Sequence, residues 1–202
     1  PGYTCFTLKI PLFPVDGNTA VAALREAYAG RGQLACIVVS KRDMPIRFDA
    51  DRAQALVRDG AAHIAGDVST AGMQFVAVGA YQLEQALQAH AFLERHGFAT
   101  CVTAVIEPGR LRVPRDDLEA AFVLGDEALR ALFPPELPRV LLCHTRPEPM
   151  LGVLRRIDGG HAKMRALGYI NRGGTLDVTG MLRANPCFSR AAINAAADVT
   201  DW

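Results

Sequence analysis

The stretch Met73-Gln74-Phe75-Val76-Ala77-Val78 decides the fold class, because it is an almost continuous apolar run. Such a run predicts a parallel strand that is buried on both faces. Residues 80–96 follow with apolar side chains at helical spacing and end at Gly97, so they predict a crossover helix. Residues 100–106 (TCVTAVI) are again apolar and predict the next strand. The strand–helix–strand succession predicts an α/β fold with a mostly parallel sheet.

The same alternation extends in both directions along the chain. On the C-terminal side we predict one or two helices over 114–133 with a break near Gly125, a strand at 139–144, a helix at 148–158, a strand at 165–170 and a closing helix at 188–198. On the N-terminal side we predict a strand at 8–13, a helix from Asn18 to Gly30 with Val21, Leu24 and Tyr28 on one face, a central buried strand at 34–40 (LACIVVS), and a helix that Asp49 caps and Gly60 ends.

A polar, glycine-containing segment separates these two halves. Residues 61–72 have weak periodicity, and their composition predicts a linker with a domain boundary near residue 70. We therefore predict an N-terminal α/β unit at 1–69 and a second domain at 70–202. The second domain is expected to be a doubly wound, mostly parallel sheet.

Composition limits the classes of function. The chain has 202 residues, Lys+Arg 22 against Asp+Glu 21, a net charge of +1 and half its residues hydrophobic. It has no basic block that would capture nucleic acid or an anionic membrane. It also shows no signal peptide and no apolar run of the ~20 residues that span a bilayer. We expect a cytoplasmic protein and, because Pro1-Gly2-Tyr3 contains no initiator Met, a piece of a longer chain.

The five cysteines indicate buried thiols rather than a disulfide framework or a zinc site. Their number is odd and no two of them form a CxxC pair; they are Cys5, Cys36, Cys101, Cys143 and Cys187. Known phosphate-binding and nucleophile motifs are also missing. No GxGxxG follows a strand, and neither GxxxxGK[ST] nor GxSxG occurs. We predict no metal site and no catalytic residue in this chain.

Candidate binding residues follow the predicted strands, because ligands of such sheets bind at the carboxyl ends of strands. These are the loops after Ser40, Val78, Ile106 and His144. Lys41 and Arg42 come directly after a strand, and two cations there suit a phosphate or carboxylate; the alternative is two solvated loop charges. His144 with Arg146 could contact an anion or move a proton, and the alternative is a hydrogen-bonded structural histidine.

Several segments, in order along the chain, resemble bacterial phosphoketolases. Residues 14–19 (PVDGNT), then a helix, then 37–41 (IVVSK) resemble the end of that family's pyrimidine-binding domain, where a PADANT-like segment precedes a strand and an AGKQP-like loop. Residues 125–133 (GDEALRALF) before 139–147 resemble the LSDxxFDxLF run before the family's HGYP loop. Residues 168–175, with Gly168, Tyr169, Gly173 and Thr175, resemble its RGYKEEGT stretch.

The resemblance implies a thiamine-diphosphate enzyme that also uses Mg²⁺. Such an enzyme cleaves xylulose 5-phosphate or fructose 6-phosphate with inorganic phosphate, giving acetyl phosphate and a shortened aldose phosphate. Lys41 matches the lysine of the GKQP loop, which implies that it binds the substrate's phosphate, and His144 matches the HGYP histidine. The implied partners are the cofactor-binding remainder of the enzyme and a second copy in a homodimer.

The departures from the family pattern imply that this chain alone is inactive. The GDG…N segment for magnesium and diphosphate is absent, and both the activating glutamate and the QDHNGFSHQD-like segment would precede Pro1. GKQP is replaced by 41–44 (KRDM), HGYP by 144–147 (HTRP) and the DRFH near the end by 186–189 (PCFS). Two alternatives stay open: a stand-alone module for small-anion binding or dimerisation, and the corresponding domain of a transketolase relative.

Overall fold

The computed structural model describes residues 7–8, 11–30, 33–170 and 174–200. Its N-terminal elements are β1 (Thr7–Leu8), α1 (Gly17–Ala29), β2 (Gln33–Leu34), α2 (Ala50–Asp59) and β3 (Ala61–Gly66). They are followed by β4 (Met73–Val78), α3 (Ala80–Arg95), β5 (Thr100–Val105), a 3-10 turn (Pro108–Leu111), α4 (Asp117–Ala120), α5 (Asp126–Leu132) and β6 (Arg139–Cys143). The last elements are α6 (Pro147–Val153), a 3-10 turn (Arg155–Ile157), β7 (Met164–Leu167), α7 (Val178–Ala184) and α8 (Ser189–Ala197).

A five-stranded sheet in the order β3-β5-β4-β6-β7 organises the fold. The neighbours β4–β5, β4–β6 and β6–β7 are parallel, and only β3 runs antiparallel, beside β5. Strands β4, β5 and β6 are buried at every position. Their apolar runs therefore meet helices on both faces, as expected for a parallel sheet. The predicted α/β class with a mostly parallel, doubly wound sheet is confirmed.

Two groups of buried side chains cover the two faces of the sheet. On one face Phe75 and Leu142 pack with Leu83 of α3, Ala192 of α8 and residues of α1 and α2. On the other face the strands pack with α5 and α6 through the buried residues Val76, Leu141, Leu129, Phe133 and Met150. Burial of this apolar surface is the main favourable term that holds the layers together.

The largest fully buried side chain is the charged side chain of Arg139. Arg139, only 2% exposed, opens β6. Its Nε donates to Gln74 Oε1 (2.9 Å) and its Nη1 to the Ile157 carbonyl (3.2 Å), while Nη2 donates to the Pro134 carbonyl. Gln74 Nε2 in turn donates to Thr103 Oγ1 at 2.8 Å. Burial lowers the pKa of Arg139, and the three acceptors compensate for the water that the guanidinium has lost.

The predicted linker at 61–72 differs from the structure. Residues 61–66 form β3, whose Ala62 is opposite Ala104 of β5. The prediction failed because β3 is an edge strand with small and polar residues, so it lacks the continuous apolar run of β4–β6. The division into domains 1–69 and 70–202 stays a prediction. Helix α7 was not predicted, and β7 begins one residue before the predicted strand.

The prediction of a buried central strand at 34–40 is wrong for this chain. The strand covers Gln33–Leu34, and beyond it a single bridge joins Ile37 to Leu12. Leu34 is 62% exposed and Val39 56% exposed. Because the β1–β2 pair forms a separate two-stranded sheet, these apolar side chains lack a covering layer among the described residues.

The thiols behave as small buried hydrophobes at three positions. Cys101, Cys143 and Cys187 are buried, and burial raises their pKa values to about 11, 12 and 12. Cys36 is exposed, and Cys5 lies outside the described residues. Among the described residues, no three His, Cys, Asp or Glu side chains are grouped so that they could hold a metal ion. No described helix is both long and apolar enough to cross a membrane.

Candidate functional site

The candidate site lies at the point in the sheet where the order of the strands reverses. After β4 the chain passes to β5 on one side, whereas β6 lies on the other side of β4. Such a switch point leaves a crevice at the carboxyl ends of the two strands. Here those ends are Gly79 and His144, and the His144 amide donates to the Val78 carbonyl at 3.0 Å.

Two glycines allow the close approach of backbone at this crevice. Gly79 has φ +113°, and a Cβ there would lie 2.6 Å from Gln82 Oε1 and 3.0 Å from His144 Cβ. At Gly168, just after β7, a Cβ would lie 2.5 Å from the Thr145 carbonyl oxygen. A side chain at either position would therefore clash with atoms of the crevice.

A cavity of about 400 Å³ occupies this crevice. Its lining comes from the loop after residue 40, the start of α3, the end of β6, the residues after β7 and helix α7. The lining residues are Lys41, Tyr81, Gln82, Cys143, His144, Tyr169, Leu176, Val178, Met181, Leu182, Asn185 and Cys187. The cavity thus combines the loops that the sequence predicted with residues of α3 and α7 that were not predicted as site residues.

Lys41 lies at this cavity, and its neighbour Ser40 connects the loop to α3. The Ser40 hydroxyl is 2.8 Å from the Tyr81 hydroxyl and donates to the Arg42 carbonyl at 2.6 Å. Lys41 itself is exposed, and no ion pair or hydrogen bond of its ammonium is found among the described residues. A cation at the carboxyl edge of a parallel sheet is suited to bind a phosphate or a carboxylate.

His144 lines the same cavity as Lys41. Partial burial lowers the pKa of its imidazole, so the ring is neutral at neutral pH. Its centroid is 6.4 Å from the Phe13 ring. The structure shows no hydrogen bond of the imidazole with the described residues, which gives no support to the alternative of a hydrogen-bonded structural histidine. Each ring nitrogen remains available to a ligand.

The other two candidate cations lie elsewhere. Arg42 lines a neighbouring cavity of about 360 Å³ together with Asp16 and Met44. Arg146 is exposed and precedes α6. Lys41 and His144 thus line one cavity, and Arg42 and Arg146 are not among its described lining residues.

Asp16 fixes the loop that carries Lys41. Its Oδ1 accepts from the Thr19 amide (2.8 Å) and caps α1, and its Oδ2 accepts from the amides of Arg47 (2.9 Å) and Phe48 (3.1 Å). Burial alone would raise the pKa of this carboxyl, but the hydrogen bonds outweigh desolvation and lower it. Arg47 Nε also donates to Glu84 Oε1 of α3 at 3.1 Å, so the loop is held between α1 and α3.

Sequence reasoning missed the polar residues that the helices contribute. Gln82, in the first turn of α3, is 3% exposed and its Oε1 has no hydrogen-bond partner among the described residues. Asn185 is also buried; its Oδ1 accepts from the Ile170 amide (2.9 Å) and its Nδ2 donates to the Met181 carbonyl (3.1 Å). For Gln82 a signal existed, because it precedes the buried positions Ala86, Ala89 and Leu93 at helical spacing.

Comparisons with solved structures identify the class of fold. A transketolase from Pichia stipitis (the H261F mutant) matches with a TM-score of 0.70 and 15% identity over 95% of this chain and 25% of that chain. A transketolase from Leishmania mexicana matches with a TM-score of 0.71 and 16% identity, again over 95% of this chain and 25% of that chain. The described fold is therefore a transketolase fold, and its five-stranded sheet matches the transketolase C-terminal-like domain.

A third match has a different chain organisation. A protein described as a split gene transketolase, inactive beta4 tetramer, matches with a TM-score of 0.63 and 15% identity over 95% of this chain and 57% of that chain. The present chain spans about a quarter of the length of the two transketolases above. No protein-family model matches the sequence, and no curated protein matches it.

Proposed function

We propose that this chain is the C-terminal portion of a thiamine-diphosphate enzyme of the transketolase fold, with phosphoketolase-like chemistry. The complete enzyme would cleave a ketose phosphate with inorganic phosphate to acetyl phosphate and an aldose phosphate. The transketolase fold supports the enzyme class. The ordered motifs at 14–19, 37–41, 125–133 and 168–175 support the phosphoketolase chemistry.

The observation that carries this proposal is the uncovered apolar surface of the N-terminal segment. On α1, Val21, Leu24 and Tyr28 are exposed, Tyr28 by 86%, and Leu34 and Val39 are exposed beside them in the chain. An apolar surface that is left in water marks a contact with another protein part. In this proposal the remainder of the pyrimidine-binding domain covers it, within the same polypeptide or as a separate subunit.

The cofactor belongs to that remainder rather than to this chain. The described residues contain no group of His, Cys, Asp or Glu side chains for a metal, and the sequence has no GDG…N segment. In this proposal the remainder of the enzyme therefore holds thiamine diphosphate and Mg²⁺. We propose a cytoplasmic homodimer of the complete enzyme, by analogy with the family that the motifs resemble.

Lys41 is the residue of this chain that we assign to the substrate. It is exposed, it lines the cavity, and no carboxylate is among the described lining residues. A phosphate oxyanion can therefore approach it without displacing an internal ion pair. Arg42, His144 and Arg146 are accessory candidates, of which only His144 shares the cavity.

A second function is favoured by one observation. The described residues of this chain form a cavity with Lys41 in its lining, which favours a stand-alone module that binds a small anion. The corresponding part of a transketolase relative, with transferase rather than phosphoketolase activity, fits the same fold.

The first experiment is the intact mass of the polypeptide from its native source. A mass well above 21.8 kDa, or a stable complex with a second polypeptide that supplies the cofactor site, is expected. The isolated species is then assayed for acetyl phosphate formation from fructose 6-phosphate and for transketolase activity. A monomer of 21.8 kDa without a partner would contradict the enzyme proposal and favour the binding module.

The second experiment is Lys41→Ala in the active complex. Loss of one charge-assisted contact, worth about 1.5–3 kcal/mol, predicts a KM for sugar phosphate that rises roughly 10-fold or more with a smaller change in kcat. Lys163→Ala removes another exposed lysine and is the control, since Lys163 lies at the far end of β7. An unchanged KM in Lys41→Ala would exclude Lys41 from the substrate site.

A further inference from the structure

We propose that a cavity at the amino end of β6 binds a compact oxyanion, a phosphate or a short carboxylate, between arginine side chains. The cavity has a volume of about 250 Å³, and its lining includes Arg130 of α5, Arg139 of β6 and Arg156 of the 3-10 turn after α6. This volume is below that of sites for drug-sized ligands, roughly 300–1,000 Å³, which favours a small ion. The inference does not rest on the proposed function, because no residue assigned there to the substrate is among the described lining residues of this cavity.

This cavity lies at the opposite edge of the sheet from the candidate functional site. Arg139 opens β6, whereas His144, which lines the candidate site, follows the last residue of that strand. The step from residue 139 to residue 144, at about 3.3 Å per residue, puts roughly 16 Å between the two positions. A ligand bound at Arg139 therefore occupies a separate site.

The buried charge of Arg139 is the first observation. Its side chain is 2% exposed, and it forms no ion pair among the described residues. The oxygens that accept from it belong to Gln74, Pro134 and Ile157 and are neutral. Neutral acceptors replace hydrogen bonds to water but do not balance the charge, and an unbalanced buried charge is costly. An anion beside this guanidinium supplies the missing counter-charge.

The direction of the Arg139 guanidinium is the second observation. Its Nη1 donates to the Ile157 carbonyl at 3.2 Å, and its Nη2 donates to the Pro134 carbonyl. Ile157 lines the cavity, and so do the residues on both sides of Pro134. The Nη end of the side chain thus lies between the two chain segments that form walls of the cavity. A guanidinium has five N–H groups, and the three hydrogen bonds of this side chain leave two of them for a ligand.

The balance of charge in the lining is the third observation. The lining contains three arginines and two carboxylates. Asp126 pairs with Arg156 (Oδ1 to Nη2, 2.7 Å), and Asp158 Oδ1 accepts from the Gly160 amide at 2.9 Å. Arg130 is exposed and, like Arg139, has no ion pair among the described residues.

Two guanidinium groups thus remain for an anion. The planar fork of N–H donors on a guanidinium matches the oxygens of a phosphate or a carboxylate, which accept several hydrogen bonds at once. This match selects an oxyanion over a halide.

The test is isothermal titration of the complete polypeptide that contains this chain with inorganic phosphate, acetate and chloride. All titrations use a Lys41→Ala background, so that an anion bound at the candidate functional site does not contribute. We expect phosphate or acetate to bind more tightly than chloride, and the tighter of the two identifies the ligand as a phosphate or a carboxylate. Arg130→Met should weaken that binding roughly 10-fold or more, the effect of losing one charge-assisted hydrogen bond. Arg95→Met is the control and should leave the affinity unchanged, since it removes an exposed arginine of α3, which packs on the other face of the sheet.

A thermal melt tests the buried charge itself. The oxyanion that binds should raise the melting temperature, and Arg139→Met should remove this rise. If Arg139→Met does not fold, the titration of Arg130→Met, at an exposed position, decides alone. Absence of binding by either oxyanion, equal binding of chloride, or equal affinities of Arg130→Met and Arg95→Met would overturn the proposal. Because these measurements use no sugar phosphate and Lys41 is already replaced, their failure is distinguishable from failure of the proposed enzyme.

Discussion

Replacing Asp16 by asparagine tests whether a single carboxylate holds the Lys41 loop in place. Asp16 is 4% exposed, and its Oδ2 accepts from the amides of Arg47 and Phe48, while Oδ1 accepts from Thr19. Asparagine remains a good N-cap, but its amide group now faces two backbone donors. Hydrogen bonds to a charged group contribute about 1.5–3 kcal/mol each, so Asp16→Asn should lose about 3 kcal/mol or more.

The assay is urea unfolding of both proteins at neutral and at acidic pH. Asp49→Asn is the matched control, because Asp49 is an exposed N-cap that accepts only from Arg52, and it should change stability by less than about 0.5 kcal/mol. The pKa of Asp16 is lowered in the folded state from 3.8, so its contribution is complete above pH 3.8 and is lost as pH falls through the lower folded pKa. The difference between the wild type and Asp16→Asn should therefore shrink in strong acid. Equal losses in the two variants, or a difference independent of pH, would refute this account.

Two further substitutions test the core and the switch point. Arg139→Met keeps the bulk but removes the donor from three acceptors, two of them in buried hydrogen bonds, so unfolding should cost about 3 kcal/mol less than in the wild type. The exposed Arg130→Met should have little effect, and equal midpoints in urea would contradict the buried network. Gly79→Ala combines positive φ with contact to Gln82 and should destabilise by more than Gly97→Ala, which has φ +81° but no atom within 4 Å of the added Cβ. Thermal melts that show equal losses in both glycine variants would mean that the crevice relaxes around a methyl group.

The sequence predicted the strands of the sheet correctly where helices of the same chain cover both faces of the sheet. The segments 73–78, 100–106 and 139–144 are mostly apolar, and each forms a buried strand within one residue of its predicted end. The two ends of α2 were also predicted correctly. Asp49 caps its N-terminus with a side-chain hydrogen bond, and Gly60, with positive φ, ends the helix. For α1 the cap moved from Asn18 to Asp16, because Asp16 and Thr19 form a reciprocal capping box.

The candidate site was predictable only in part, and the reason is geometric. Lys41 and His144 were selected because both follow a predicted strand, although the strand predicted before Lys41 covers only Gln33–Leu34 in the structure. Gln82 was missed because it lies within a predicted helix, where a polar residue is ordinarily solvated. Asn185 was missed because it follows α7, a helix that the sequence analysis did not predict.

The wrong prediction at 34–40 carries the most information about function. A run such as LACIVVS matches a strand that is buried on both faces, yet Leu34 and Val39 are largely exposed here. Apolar side chains that are left exposed in this way mark a contact with another protein part. The same holds for Tyr28 on α1. The sequence pattern and the structure agree if the pattern is adapted to an assembled protein in which further strands complete this sheet, and Leu34 and Tyr28 should then become protected from hydroxyl-radical labelling in the native complex.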